Sequence, residues 1–237
     1  MTFLHQSSAI FWHAGEAAAW TSKAVAAADV PQVGAHVWFI GNANYDDLKG
    51  LVSEAELKRA HEMLPASKAH EFLCARATLR QLLAVYIQTL PPREICIAIT
   101  EQGKPYLPDH PALKFNLSHS HGALAIAISY LDVGIDIEKI RPVPDWRELA
   151  RDLLAATEAA TIAGLCEAER GPAFLRGFTA REAYLKANGT GFSGNLPALD
   201  FLSSSAESVM PDLRDRALMP LPPVRGIVGH LCLLRAA

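Results

Sequence analysis

The chain has 237 residues, half of them hydrophobic, and a formal net charge of -3. That length allows one domain or two modest ones with a sizeable core, and the charge excludes a chain-wide basic surface for nucleic acid while leaving room for a local patch. The start lacks a positively charged n-region and the apolar run at 123–131 is too short to span a bilayer as a helix, so a cytoplasmic protein with no membrane partner is expected. Cys74, Cys96, Cys166 and Cys232 are widely spaced beside apolar residues and form no C-x-x-C pair, which reads as reduced, buried thiols.

Residues 1–34 read as a leader with one short helix, broken at Pro31 and alanine-rich at 17–28. A buried first strand is expected at 36–40, before a turn-rich stretch. Ser53, with Glu56 three positions on, predicts a capped helix running to Leu64, where Pro65 ends it. A longer helix over 67–89 carries Phe72, Leu79, Leu82, Leu83 and Tyr86 as a core stripe. Arg76 and Arg80, one turn apart on its flank, are either solvated or able to present guanidinium groups to a phosphate.

Pro91 and Pro92 close that helix, and 95–100 reads as a buried strand. Gly103 and Pro105 then force a turn that holds Lys104 outward. In F-N-L-S-H-S-H at 115–121, Asn116, Ser118 and Ser120 share one side of a regular strand, but so many donors beside Gly122 suggest a loop entering a site. His119 and His121 lack a third ligand at zinc spacing, so a histidine donating to a phosphate is the better reading.

The stretch G-I-D-I-E at 134–138 carries the most information. Period-two alternation puts Asp136 and Glu138 on one face and Ile135 and Ile137 in a core. Two such carboxylates repel by roughly 1 to 3 kcal/mol at intermediate dielectric, so they either face water at a strand end or share a cation, for which a hard divalent ion is the candidate. Helices follow at 146–154 and 157–166, and Pro172 opens a third that stops at Gly189. Phe178, Glu182 and Lys186 recur on it at four-residue intervals, which makes an ordinary surface ion pair or part of a site. Beyond lie a glycine-rich loop, a serine-rich turn at 203–205, proline punctuation at 220–223 and a final strand at 224–234.

Four stretches in this order, G-K-P-Y-L at 103–107, F-N-L-S-H-S at 115–120, G-I-D-I-E at 134–138 and R-E-A-Y-L-K-A-N-G-T-G at 181–191, resemble the 4'-phosphopantetheinyl transferases of the surfactin-synthetase-activating (Sfp) type. F-L-C-A-R-A-T-L-R at 72–80 adds to the likeness. The resemblance implies an α+β monomer of two similar α/β halves, residues 1–130 and 131–237, related by a pseudo-twofold axis with coenzyme A between them. It implies Mg2+ held by Asp136, Glu138 and Glu182 against the coenzyme A pyrophosphate, with His119 binding the 3'-phosphate, Ser118 lining the same pocket and Lys104 reaching a coenzyme A phosphate. Arg76, on the long helix that shares the likeness, is counted with the coenzyme contacts. Lys186 would neutralise the attacked phosphate, and Glu182 or a metal-side water would be the base for the serine of an acyl, peptidyl or aryl carrier protein. The chain departs from the pattern at Phe178, where many members have tryptophan, and at Arg181, where lysine is usual. Arg181 is therefore read as a phosphate or packing contact. These two departures also motivate a second reading, a noncatalytic module that binds coenzyme A or a carrier protein.

Overall fold

The computed structural model describes residues 10–15, 34–41, 50–189, 200–202, 216–222, 224 and 226–234. They form a mixed α/β protein whose chain builds one sheet, then a second. The first has the order β1-β2-β6-β5, from β1 (Ile10–Gly15), β2 (Ala35–Gly41), β5 (Lys114–Ser120) and β6 (Ala123–Ser129). Its pairs are antiparallel except β1 with β2. The second has the order β7-β9-β8 and is antiparallel throughout, from β7 (Asp132–Lys139), β8 (Arg216–Pro220) and β9 (Ile227–Leu234). The chain passes between the sheets at Tyr130 and Leu131, where Ser129 Oγ donates to the Gly34 carbonyl at 2.6 Å and accepts from the Leu131 N–H at 3.0 Å.

The central strands are apolar on both faces because both faces are covered. Trp38, Ile40, Ile126 and Ile128 pack under the long helix α2 (Ala66–Ile87) with Leu79, Leu82 and Leu83. Val37, Phe39, Ala125 and Ala127 point the other way and meet Ile135, Ile137, Leu231 and Leu233 of the second sheet. α1 (Glu54–His61) begins at Ser53 with the expected capping box. Behind the second sheet lie α3 (Trp146–Leu153), α4 (Ala156–Ala163) and α5 (Glu167–Asn188). No helix among the described residues is long and apolar enough to cross a membrane.

Several expectations are corrected. Part of the supposed leader is a strand, β1, and β8 was not foreseen; the alanine-rich stretch, the glycine-rich loop and the serine turn lie outside the described residues. The strand expected at 95–100 is reduced to β3 (Ala98–Ile99), hairpinned with β4 (Pro105–Tyr106), and only Ile95 of its apolar side chains is fully buried. The stretch read as a loop at 115–121 is instead the regular strand β5, because the side chains that looked irregular bond to β7. α5 starts at Glu167, five residues before Pro172: Glu167 and Glu169 in its first turn complement the helix dipole, which offsets the hydrogen bond the proline removes. Cys74 and Cys232 are buried as expected, but Cys96 and Cys166 are exposed in connections between elements.

Candidate active site

Gly134 decides how closely α5 lies on the second sheet. A β-carbon there would stand 2.1 Å from the Ala183 carbonyl oxygen and 2.3 Å from the Ala187 nitrogen, so only glycine lets the helix backbone rest on β7. One residue pair further along the same face, the helix brings Lys186 to Asp136: its Nζ donates to Oδ1 at 2.6 Å and to the Ile135 carbonyl at 3.3 Å. The solvated strand end is thereby excluded, since Asp136 is only 5% exposed. A cation does stand beside the buried carboxylate, and it is Lys186.

The free edge of β7 is closed by side chains rather than by another strand. Asn116 Oδ1, Ser118 Oγ and Ser120 Oγ accept in turn from the backbone N–H groups of Ile135 (2.9 Å), Ile137 (3.2 Å) and Lys139 (3.1 Å). The two serine hydroxyls then donate upward, Ser118 to Asp136 Oδ1 at 2.8 Å and Ser120 to Glu138 Oε2 at 2.8 Å. One two-residue repeat on β5 thus satisfies three backbone donors and aims two carboxylates. Ser118, expected in the coenzyme pocket, is buried and committed to this ladder.

Electrostatics ties Glu182 to the pair. Burial, and after it the charge of Asp136, pushes the Glu182 carboxyl above its ordinary range, with Lys186 pulling the other way. Burial likewise raises Asp136 against the pull of Lys186 and Ser118, and Glu138 adds to the rise. Among the described residues no three histidine, cysteine or acidic side chains converge closely enough to hold a metal ion by themselves. The donor chemistry nevertheless suits a hard divalent cation: all three groups are carboxylates, Asp136 and Glu182 are both raised by burial and by a neighbouring carboxylate, and Asp136 Oδ2 is buried without a hydrogen-bond partner.

Beside Lys186 opens a cleft of about 320 Å3 lined by Arg59, Arg76, Lys104, Lys186 and the imidazole of His119. Four of these were expected from sequence; Arg59, an exposed residue on α1, carried no signal of its own. Lys104 is a correction. The turn forms, but its side chain is half-buried rather than held outward, and Nζ donates to the Ala187 carbonyl at 2.9 Å, because the C-terminal carbonyls of α5 attract a cation. Burial lowers its pKa. Arg80 does not reach the cleft chemistry: its guanidinium holds Glu56 and the carbonyls of Pro92 and Ile95. Arg181 is a packing contact, its Nη2 on Glu158 Oε2 at 2.5 Å and its guanidinium over Phe201. Phe178 stacks on Phe174 with ring centres 6.0 Å apart, keeping the apolar packing of that position.

The cleft lies between the β3-β4 hairpin, the two long helices and β5, and the guanidinium and ammonium groups on its wall give it an excess of positive charge. Residues 37–131 match the family model described as 4'-phosphopantetheinyl transferase, N-terminal, and residues 132–219 that of the 4'-phosphopantetheinyl transferase superfamily. The chain is 32% identical to the 4'-phosphopantetheinyl transferase HetI of Nostoc sp. strain PCC 7120 over 166 residues, 67% of this chain and 70% of that protein. It is 28% identical to Sfp of Bacillus subtilis strain 168 over 60% of this chain and 62% of the relative. With AcpT of Salmonella typhimurium the identity is 36%, over 55% and 66% of the two chains. The chain belongs to the 4'-phosphopantetheinyl transferase family and is a transferase of that type.

Proposed function

We propose that the chain transfers the 4'-phosphopantetheine moiety of coenzyme A to a serine hydroxyl of an apo carrier protein and releases 3',5'-ADP. The observation that carries this reading is the place of Lys186, which lines the cationic cleft, hydrogen-bonds Asp136 and acts by its charge on Glu182. The serine oxygen forms a new bond to the phosphorus nearer the pantetheine, the pyrophosphate bridge breaks, and its electrons leave with 3',5'-ADP. Such a transfer asks a protein mainly to position the reactants and neutralise charge.

Asp136, Glu138 and Glu182 would hold a Mg2+ ion, which when bound polarises the pyrophosphate and offsets the carboxylates' mutual repulsion. Lys186 holds Asp136 in place before the ion arrives and supplies positive charge at the attacked phosphate. Glu182 accepts the serine proton, a role favoured by the burial and the Asp136 charge that raise its pKa above the ordinary range. His119, Arg76 and Lys104 bind the coenzyme's phosphates from the cleft wall; Ser118 contributes through Asp136. The change of sheet at Tyr130 and Leu131 supports the division into residues 1–130 and 131–237, and the pseudo-twofold relation between them rests on family likeness alone. Retention of the three carboxylates and Lys186 favours this over a binding module without turnover, because a site relieved of catalysis has no need to keep mutually repelling carboxylates.

The test is incubation with coenzyme A, Mg2+ and a panel of apo acyl, peptidyl and aryl carrier proteins, read by intact mass. A gain of one phosphopantetheine on at least one carrier supports the reading. Tight coenzyme binding with no transfer to any carrier would return the chain to the binding-module alternative.

A further inference from the structure

The two carboxylates of β7 are not held alike. Asp136 has two anchors on Oδ1, Ser118 Oγ at 2.8 Å and Lys186 Nζ at 2.6 Å. Glu138, half-buried, has one among the described residues: Ser120 Oγ, donating to Oε2 at 2.8 Å. Whatever orders Glu138 beyond that single bond has to act through Ser120. Both serines bond a carboxylate and a β7 N–H, but among the described residues only Ser120 has a third contact, with His121 Nδ1 at 3.1 Å.

A hydroxyl has one proton and two lone pairs. The Ser120 proton goes to Glu138, since a carboxylate only accepts, and one lone pair takes the Lys139 N–H at 3.1 Å. His121 Nδ1 must therefore carry hydrogen and donate to the other lone pair. Ser120, 6% exposed, is then saturated, and its proton has no direction left but Glu138. With Oε2 engaged, Oε1 has no hydrogen bond among the described residues and is the oxygen left for a cation. The backbone argues that the imidazole is there for this contact rather than for the turn. His121 and Gly122 make the two-residue connection from β5 to β6, with φ of 48° and 82°. A hairpin turn with both central φ positive favours asparagine, aspartate or glycine followed by glycine. Gly122 conforms and His121 does not; what His121 adds is a ring folded back onto the hydroxyl of the residue before it.

We propose that His121 is a positioning residue for Glu138: by donating to Ser120 it holds the serine proton on Oε2 and so presents Oε1 to a hard divalent cation. This rests on the reading of Asp136, Glu138 and Glu182 as a metal site. Calorimetric titration of Mg2+ into the chain with saturating coenzyme A and no carrier protein, against a coenzyme-only blank, tests it in the wild type, His121→Gly, Ser120→Ala and the double variant. His121→Gly should weaken Mg2+ about tenfold, the size expected when a partner behind a metal ligand is lost, and leave coenzyme A affinity without the ion within about twofold. It should also melt close to the wild type, because glycine adopts this φ without strain. Ser120→Ala should weaken Mg2+ at least as much, and adding His121→Gly to it should weaken it no further, since both act through one hydroxyl. Unchanged Mg2+ affinity in His121→Gly, or full additivity in the double variant, overturns the relay; if Ser120→Ala does not fold, His121→Gly decides alone. A wild-type chain that takes up no Mg2+ would retire the metal site and the relay together, whereas one that binds it equally well without the imidazole would retire the relay and leave the metal site standing.

Discussion

A carboxylate as deeply buried as Asp136 persists as an anion only with cations beside it, and Lys186 offers one at a single oxygen while the other goes without a partner. In the proposed reading the side chain trades folding stability for affinity toward a second cation. Asp136→Asn keeps the shape and the Ser118 contact but removes the charge. It should lower the transfer rate on the order of a hundredfold, roughly 3 kcal/mol in the barrier, while the metal-free chain melts no lower than wild type. Mg2+ should raise the melting temperature of the wild type and not of this variant; an equal rise in both would remove Asp136 from the metal site. His230 makes a separate prediction. It faces α5 beside Thr179, with a 2.8 Å contact from Nδ1 to the Thr179 hydroxyl, and burial, helped by Arg176, lowers its pKa to about 4. The unfolded chain takes up the proton near the ordinary value of 6.5, so the contribution of neutral His230 is intact above that pH and lost as pH falls from there toward 4. Between pH 7 and pH 5 the wild type should lose roughly 1 to 2 kcal/mol of unfolding free energy that His230→Gln does not lose. Denaturant titrations at the two pH values read this directly, and parallel losses in both proteins would contradict it.

At the scale of elements, the account depends on α5 lying flat on β7. Gly134→Ala places a methyl group against helix backbone, which has no flexible end to give way, so it should destabilise the fold by about 3 kcal/mol or more and separate Lys186 from Asp136. Gly50→Ala, with nothing within 4 Å of the added carbon, is the control and should be close to neutral. Comparable stabilities of the two variants would show that the close approach is not needed. How much of this was legible in sequence follows from which contacts are local. The alternation in G-I-D-I-E, the four-residue spacing of Glu182 and Lys186, and the Ser53 cap with Glu56 each express one element's own period, and all were readable. The edge of β7 was not. Asn116, Ser118 and Ser120 looked like a loop because nothing in their own strand reveals that side chains stand in for a missing neighbour strand. Likewise Arg80 looked like a candidate phosphate ligand because the carbonyls that occupy it lie twelve to fifteen residues away on another turn.

At the scale of the whole molecule, the site sits where two sheets and two long helices meet: β5 from the first sheet aims the carboxylates of β7 in the second, α2 brings Arg76, and α5 brings Glu182 and Lys186. No single element carries the chemistry, which is why the separate sequence motifs are each weak and their order along the chain is informative. The fold thereby brings the cationic and the acidic side chains together only in the assembled protein, and in the proposed reading a polyanion with a bound hard cation completes the charge balance of both. The most direct measurement of this claim is the intact mass of an apo carrier protein after incubation with the chain and coenzyme A, with Mg2+ and with a chelator in its place. The account predicts one added phosphopantetheine and an equal amount of 3',5'-ADP with the ion present, and neither without it. Undiminished transfer in chelator, or in Asp136→Asn with Mg2+, would contradict it.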